Sequence, residues 1–158
     1  YNNDPANCET YGGLYQWDEI MQYSTTPGVQ GICPSGWHLP TDDEWKILEG
    51  TVDSQYPVGD PEWDNTEWRG YDAGKNLKST TGWFQNTGSD AFGFTALPGG
   101  NYDWGYFVLL TKYASFWSSS EYSSQNVWYR DLRYSNDAVA RNNYENKTNG
   151  YSVRCLQD

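Results

Sequence analysis

The sequence predicts an α+β domain, with helices early, antiparallel strands late and long loops between them. Three observations predict it. Gly, Pro, Asn, Asp and Ser interrupt the chain every few residues, which leaves room for few helices. Helical spacing of apolar residues is confined to the first half, and short strand-like runs bounded by turn residues to the second. With 158 residues and no internal linker or repeat, residues 1–158 read as one domain long enough to bury a core.

The first helix is expected over residues 13–23, where Leu14, Trp17, Ile20 and Met21 recur at helical spacing. The second carries a sharper signal. In Thr41-Asp42-Asp43-Glu44 the hydroxyl and the last carboxylate each satisfy a free amide of the first turn, a capping box. Pro40 precedes that cap, Gly50 stands where a left-handed C-cap belongs, and Trp45 and Leu48 form the inward stripe. A short third helix is expected near residues 73–79. Strands are expected at residues 92–97, 115–119, 127–134, 138–142 and 151–156. Pro98-Gly99-Gly100 ends the first strand, and Asn136-Asp137 and residues 146–150 supply turns between later ones.

Composition narrows the function. Nine Trp and 14 Tyr stand beside a single Met, so core edges and surfaces are aromatic rather than aliphatic. Both side chains combine a large apolar body with a polar tip, which suits a core edge or a contact surface. A net charge of −11 and a pI near 4.3 argue against nucleic acid or an anionic membrane as partner. From Ser118 onward the charges balance, so the acidity lies upstream. No apolar run is long enough to cross a membrane, and no membrane insertion is expected. No signal peptide is recognisable, and a chain opening at Tyr1 without Met reads as a mature or trimmed fragment. Cys8, Cys33 and Cys155 fit one disulfide plus a free thiol, or no disulfide, and match no zinc spacing.

Residues 118–149 are the expected binding segment. Tyr122, Ser124, Asn126, Tyr129, Arg130, Arg133, Tyr134, Asn136, Asp137, Arg141, Asn143 and Tyr144 crowd into it. Tyr gives wide, rigid contact at low entropy cost, Ser and Asn adapt their hydrogen bonds, and Arg anchors hot spots. Strand alternation puts Tyr129, Asp131 and Arg133 on one face and Trp128, Arg130, Leu132 and Tyr134 on the other. Trp128 and Leu132 mark the second face as core. Tyr102, Trp104 and Tyr106, after Pro98-Gly99-Gly100, either extend the same face or, as the favoured reading, pack locally around a turn.

The run Cys33-Pro34-Ser35-Gly36-Trp37-His38-Leu39-Pro40-Thr41-Asp42-Asp43-Glu44-Trp45 is specific. With it stand Tyr11-Gly12-Gly13-Leu14-Tyr15-Gln16-Trp17, Phe92-Gly93-Phe94-Thr95-Ala96-Leu97-Pro98-Gly99-Gly100, Phe116-Trp117-Ser118-Ser119-Ser120-Glu121 and Ser152-Val153-Arg154-Cys155. Over nearly its whole length and in the same order, the sequence resembles the Fibrobacter succinogenes major paralogous domain family. That resemblance implies a bacterial, or phage-borne, extracellular or cell-surface domain of the C-type-lectin-like fold, as in gut Bacteroidetes. It also implies kinship with the variable proteins of diversity-generating retroelements, whose adenine mutagenesis turns AAY codons into Asn, Tyr, Ser, Asp, Arg or Gly. By that code Gln125, Trp128 and Glu145 are not mutagenised AAY positions, and Trp128 reads as scaffold. Cys33 and Cys155 resemble a pair tying the start of the second helix to the last strand, which adds about 4–5 kcal/mol in the chain-entropy model. Cys8 with Cys33 is the rival pairing.

No enzyme is expected. His38 is the single imidazole, and its place between Trp37 and Leu39 before a helix cap suits a structural role. The formylglycine-generating enzymes, which the sequence resembles at Leu39-Pro40-Thr41-Asp42-Asp43-Glu44-Trp45, use a cysteine pair late in the fold, where only Cys155 lies. Asp42 and Asp43 answer to the helix dipole, and nothing singles out two carboxylates for glycoside hydrolysis. The triplets of calcium-dependent lectins are absent. No cofactor is expected, although the Asp- and Asn-rich loops hold enough oxygen ligands for a structural calcium ion. The expected role is recognition of a protein or glycan; the alternatives are a carbohydrate-binding accessory module and a structural surface domain.

Overall fold

The capping box folds as its spacing predicts. Thr41 Oγ1 accepts the Glu44 amide at 3.2 Å, and Glu44 Oε2 accepts the Thr41 amide at 2.8 Å. The computed structural model describes residues 2–85 and 87–158. Its helices are α1 (Pro5–Tyr11), α2 (Trp17–Ile20), α3 (Asp42–Val52) and α4 (Ala73–Leu77). Its strands are β1 (Trp37–His38), β2 (Glu67–Arg69), β3 (Asn101–Asp103), β4 (Tyr106–Val108), β5 (Tyr113–Glu121), β6 (Val127–Arg133), β7 (Val139–Asn142) and β8 (Leu156–Gln157). This is an α+β arrangement.

Several boundaries differ from the sequence reading for identifiable reasons. The helix expected over residues 13–23 shrinks to α2, because Gln22 and Tyr23 turn left-handed. The reading missed α1, which Asp4 caps through the Ala6 amide with Pro5 in its first turn. Gly50 does not cap α3. It lies buried inside the helix, where a Cβ would stand 2.7 Å from the backbone of Val58. Asp53 ends α3 instead, and its carboxylate accepts the amides of Gln55, Tyr56, Tyr71, Asp72 and Ala73, tying two loops to the helix end.

The strand expected at residues 92–97 is a loop. Asp90 accepts both the amide and the hydroxyl of Thr95, whose φ is 54°, and only Ala96 bridges a neighbour, Lys78. The strand expected at residues 151–156 is likewise broken. Tyr151 and Ser152 make isolated bridges to Tyr15 and Phe116, and regular pairing resumes only in β8.

The central sheet has the order β2-β7-β6-β5, all antiparallel, and both its faces are covered. One face meets α3 and α4 through Trp45, Trp63, Leu77, Phe116, Leu132 and Val139. The other meets α2 and the end of the chain through Trp17, Ile20, Leu39, Trp117, Tyr129 and Tyr151. Alternation along the strands explains the division, since Phe116 and Trp117 are neighbours that point opposite ways. The register of β5 on β6 slips between Trp117 and Glu121. That bulge turns the serine run inward: Ser118 carbonyl accepts the Trp17 indole N–H, Ser119 Oγ donates to Leu39 carbonyl, and Ser120 Oγ accepts the Asp42 amide. A disulfide joins Cys33 to Cys155, and Cys8 is a free, exposed thiol. Beside it β1 pairs with β8.

Candidate functional site

Two of the three arginines expected at a contact surface, Arg130 and Arg141, lie inside the protein. Arg130 is fully buried; its Nε donates to Glu49 Oε1 at 2.6 Å and its Nη1 to Asp42 Oδ1 at 2.8 Å. Arg141, also buried, holds the Asp42 carboxylate through Nε and Nη2 and stacks 3.5 Å over the Trp128 ring. Arg69 pairs with the second oxygen of Glu49. Burial raises the Asp42 pKa, but the hydrogen bonds and charges of Arg141 and Arg130 outweigh it and hold it at about 2. Three guanidinium groups and two carboxylates therefore fasten α3 to the sheet. Such a network is costly to break, because removing one member strands a buried charge. Arg130 and Arg141 are corrected from contact residues to internal ones.

The remaining candidates divide between two ends of β6. Asn136 and Asp137 form the β6–β7 turn, with Tyr134 against Phe84 and Arg133 over Tyr113 beside them. Lys78, buried nearby, donates to the carbonyls of Arg133 and Asn136. At the other end stand Tyr122, Ser124, Asn126, Asn143 and Tyr144. The seven residues of β6 separate the two groups by roughly 20 Å at ~3.3 Å per residue. They do not form one surface.

The end carrying Tyr144 has the features of a site. A column of rings runs from core to surface. Trp117 stacks on Tyr151 at 4.2 Å, Tyr151 leans on Tyr129 at 5.2 Å, and Tyr129 meets Tyr144 edge-on at 5.8 Å. Tyr129, 2% exposed, is thus corrected from a contact residue to the support beneath Tyr144, which is 62% exposed. Tyr122, also exposed, rests edge-on against Trp128 at 5.2 Å, and the loop carrying Ser124 is open to solvent. Trp128 thus lies between the exposed Tyr122 ring and the buried Arg141 guanidinium.

A hairpin that the sequence reading missed completes the site. β3 and β4 pair Asp103 with Tyr106 across a two-residue turn at Trp104 and Gly105, both with positive φ. Gly suits such a turn, whereas Trp is an uncommon occupant. The turn lifts the Trp104 side chain clear of the protein at 90% exposure, which reverses the expectation of local packing. The signal was present as aromatic residues alternating around Asp103-Trp104-Gly105. Between this hairpin and the Tyr144 loop opens a cleft of about 500 Å3, with Gln16, Asn126, Glu145, Asn146 and Asn149 among its lining.

Carboxylates gather around this cleft. Glu145 Oε2 accepts the Asn149 amide at 2.6 Å. Asp131 receives Ser115 Oγ at 2.6 Å and Asn142 Nδ2 at 3.3 Å. Burial, opposed by those hydrogen bonds and reinforced by the Glu145 and Asp103 charges, pushes Asp131 up to about 7. Burial also raises Glu145 and Asp103 above the usual carboxylate range, and Asp103 adds its charge at Glu145. Among the described residues none of the three has an ion-pair partner, and no group of three or more His, Cys, Asp or Glu side chains could hold a metal ion.

Elsewhere His38 lies between Asp158, at 2.7 Å, and Glu44, at 2.9 Å. The Asp158 hydrogen bond raises its pKa against the effect of burial. Both ring nitrogens are engaged at the β1–α3 junction. No described helix is long and apolar enough to cross a membrane.

No curated protein and no solved structure matches the chain. The family model of the Fibrobacter succinogenes major domain matches residues 1–157. The chain belongs to the Fibrobacter succinogenes major domain family.

Proposed function

We propose that this domain is a recognition module that binds a protein or glycan at an extracellular or cell surface, on a C-type-lectin-like fold. One observation carries the reading: Trp104, Tyr106, Tyr122 and Tyr144 are all more than half exposed. Burying a Tyr or Trp side chain removes ~150–250 Å2 from water, so a group of them held in solvent is a standing reason to bind something. Tyr144 and Trp104 flank an amide-rich cleft, and amides supply directional hydrogen bonds where rings supply area. The pairing of β1 with β8 and the high proportion of loop support the lectin-like assignment.

The same surface suits the variable protein of a diversity-generating retroelement. Sequencing many copies of the gene from one population tests this. Variation confined to exposed positions such as Tyr122, Asn126, Asn143 and Tyr144, with Arg130, Arg141 and Trp128 fixed, supports it. Changes spread evenly along the chain sink it. Ligand class is tested by screening the domain against a glycan array and a displayed protein library. Every ligand recovered should lose affinity when Trp104 and Tyr144 are both changed to Ala; ligands indifferent to both changes refute the site.

A further inference from the structure

We propose that the cleft between Trp104 and Tyr144 takes an organic cation, an ammonium or guanidinium group carried by the ligand, with Glu145 as its counter-charge. The inference rests on the recognition reading and narrows it to a chemical class. Four observations converge on it. The lining includes three aromatic residues, Tyr102, Trp104 and Tyr144, and aromatic faces attract cations. Its single charged side chain is a carboxylate, Glu145, and no Lys or Arg lines it. The nearest lysine in sequence, Lys147, is committed elsewhere: it pairs with Glu121 and lies 4.3 Å over the Trp17 ring.

The third observation is uncompensated negative charge beneath the cleft. The charge of Asp103 on β3 acts on Glu145, and the charges of Asp103 and Glu145 both act on Asp131 on β6. The groups facing them are Tyr151, Tyr129, Tyr144 and Tyr113, Ser115 on β5 and Asn142 on β7; the cation on that face of β6, Arg133, lies over the Tyr113 ring and makes no ion pair with any of the three acids among the described residues. The protein neutralises its other buried acids, Asp42 and Glu49, with three arginines, so the omission here is local. Fourth, acceptors are in surplus. Asp103 Oδ1 and Asn101 Oδ1 are buried without a donor, and Glu145 Oε1 has none among the described residues. A ligand that brings a donor and positive charge satisfies Glu145 in the lining and offsets the charge of the acids behind it. An anionic ligand would meet like charge and no donor cation.

Titration followed by the indole N–H signal of Trp104 in two-dimensional NMR provides the test. The cationic probes are N-acetyl-arginine amide, N-acetyl-lysine amide and glucosamine; the neutral controls are N-acetyl-glutamine amide and N-acetylglucosamine. The cations should shift the Trp104 signal and bind at least about tenfold more tightly than their neutral counterparts, a difference of ~1.4 kcal/mol. The amino-acid amides and glucosamine distinguish a protein side chain from an amino sugar as the source. Glu145→Gln should cut the preference for cations about fivefold or more while leaving the fold intact. Affinity should also fall from about pH 8 to about pH 5.5, as the carboxylates take up protons.

Neutral probes that shift Trp104 as readily as cations overturn the cation while leaving the recognition surface standing. An unchanged preference in Glu145→Gln, or no cation-dependent shift up to ~50 mM probe, overturns it as well. The recognition reading fails separately, if recovered protein or glycan ligands ignore Trp104 and Tyr144.

Discussion

Replacing Asp131 by Asn removes one charge from the acidic shell beneath the cleft and changes little else. The Asp131 carboxyl moves from an ordinary 3.8 to about 7 on folding. A pKa raised by folding means that the native state binds the proton more tightly than the unfolded chain does. The stabilisation is complete below the unfolded value and is lost as pH rises through about 7. With 1.36 kcal/mol per unit, this single group costs about 3 kcal/mol more at about pH 7.5 than at about pH 4.5. Relaxation of the surrounding groups around the ionised carboxylate lowers that to about 2 kcal/mol. An Asn side chain keeps the acceptor for Ser115 Oγ, and Asn142 can turn its amide to suit the other side.

Urea unfolding of both proteins at the two pH values reads the effect. The variant's stability relative to the wild type should improve by about 2 kcal/mol between about pH 4.5 and about pH 7.5. Two curves separated by a constant offset would show that Asp131 is an ordinary ionised carboxylate, and the account of a buried, unpaired acidic shell would be wrong.

The other predictions concern the scaffold. Arg130→Ala takes one of two guanidinium partners from each of the buried Glu49 and Asp42 and should cost about 3–5 kcal/mol in denaturant unfolding; a loss under about 1 kcal/mol would mean the network is not held as described. Gly50→Ala forces a methyl group to within 2.7 Å of Val58 backbone, so it should destabilise by about 1–3 kcal/mol, although Ala favours helix elsewhere. A stabilised variant would contradict the packing there. Reducing the disulfide, which closes a separation of 122 residues, should lower unfolding stability by about 5 kcal/mol in the chain-entropy model. Carboxymethylation of Cys8 alone should leave the melting temperature unchanged, because that thiol is exposed and free.

What the sequence makes legible here is mostly local chemistry. The Thr41–Glu44 box identifies its helix because every atom involved lies within one turn. Alternation in β6 likewise separates Tyr129 and Asp131 from Arg130 and Leu132, and the structure keeps that division. Both faces of the sheet turn out to be covered, a fact about distant segments that no strand records. For the same reason the arginines misled. Arg130 and Arg141 look like contact residues until Asp42 and Glu49, some 81 to 99 positions earlier, are brought beside them. Trp104 misled in the opposite sense. The sequence does not record the positive backbone angle at Trp104, in a two-residue turn that leaves the ring in solvent. Tyr122, Asn126 and Tyr144 remained together because the loops following β5 and β7 meet at one end of the sheet, where Asn126 bridges Asn146.

The central claim is that ligands are held at the exposed rings around the cleft. The most direct measurement takes a ligand recovered from the array or library and compares its affinity for wild type, Trp104→Ala and Phe92→Ala. Phe92 is also more than half exposed but belongs to the Asp90–Thr95 loop outside the cleft lining. The account predicts a loss of about tenfold or more for Trp104→Ala, at unchanged melting temperature, and no change for Phe92→Ala. Equal losses for both, or a loss for Phe92→Ala alone, would contradict it and move the contact surface to another part of the domain.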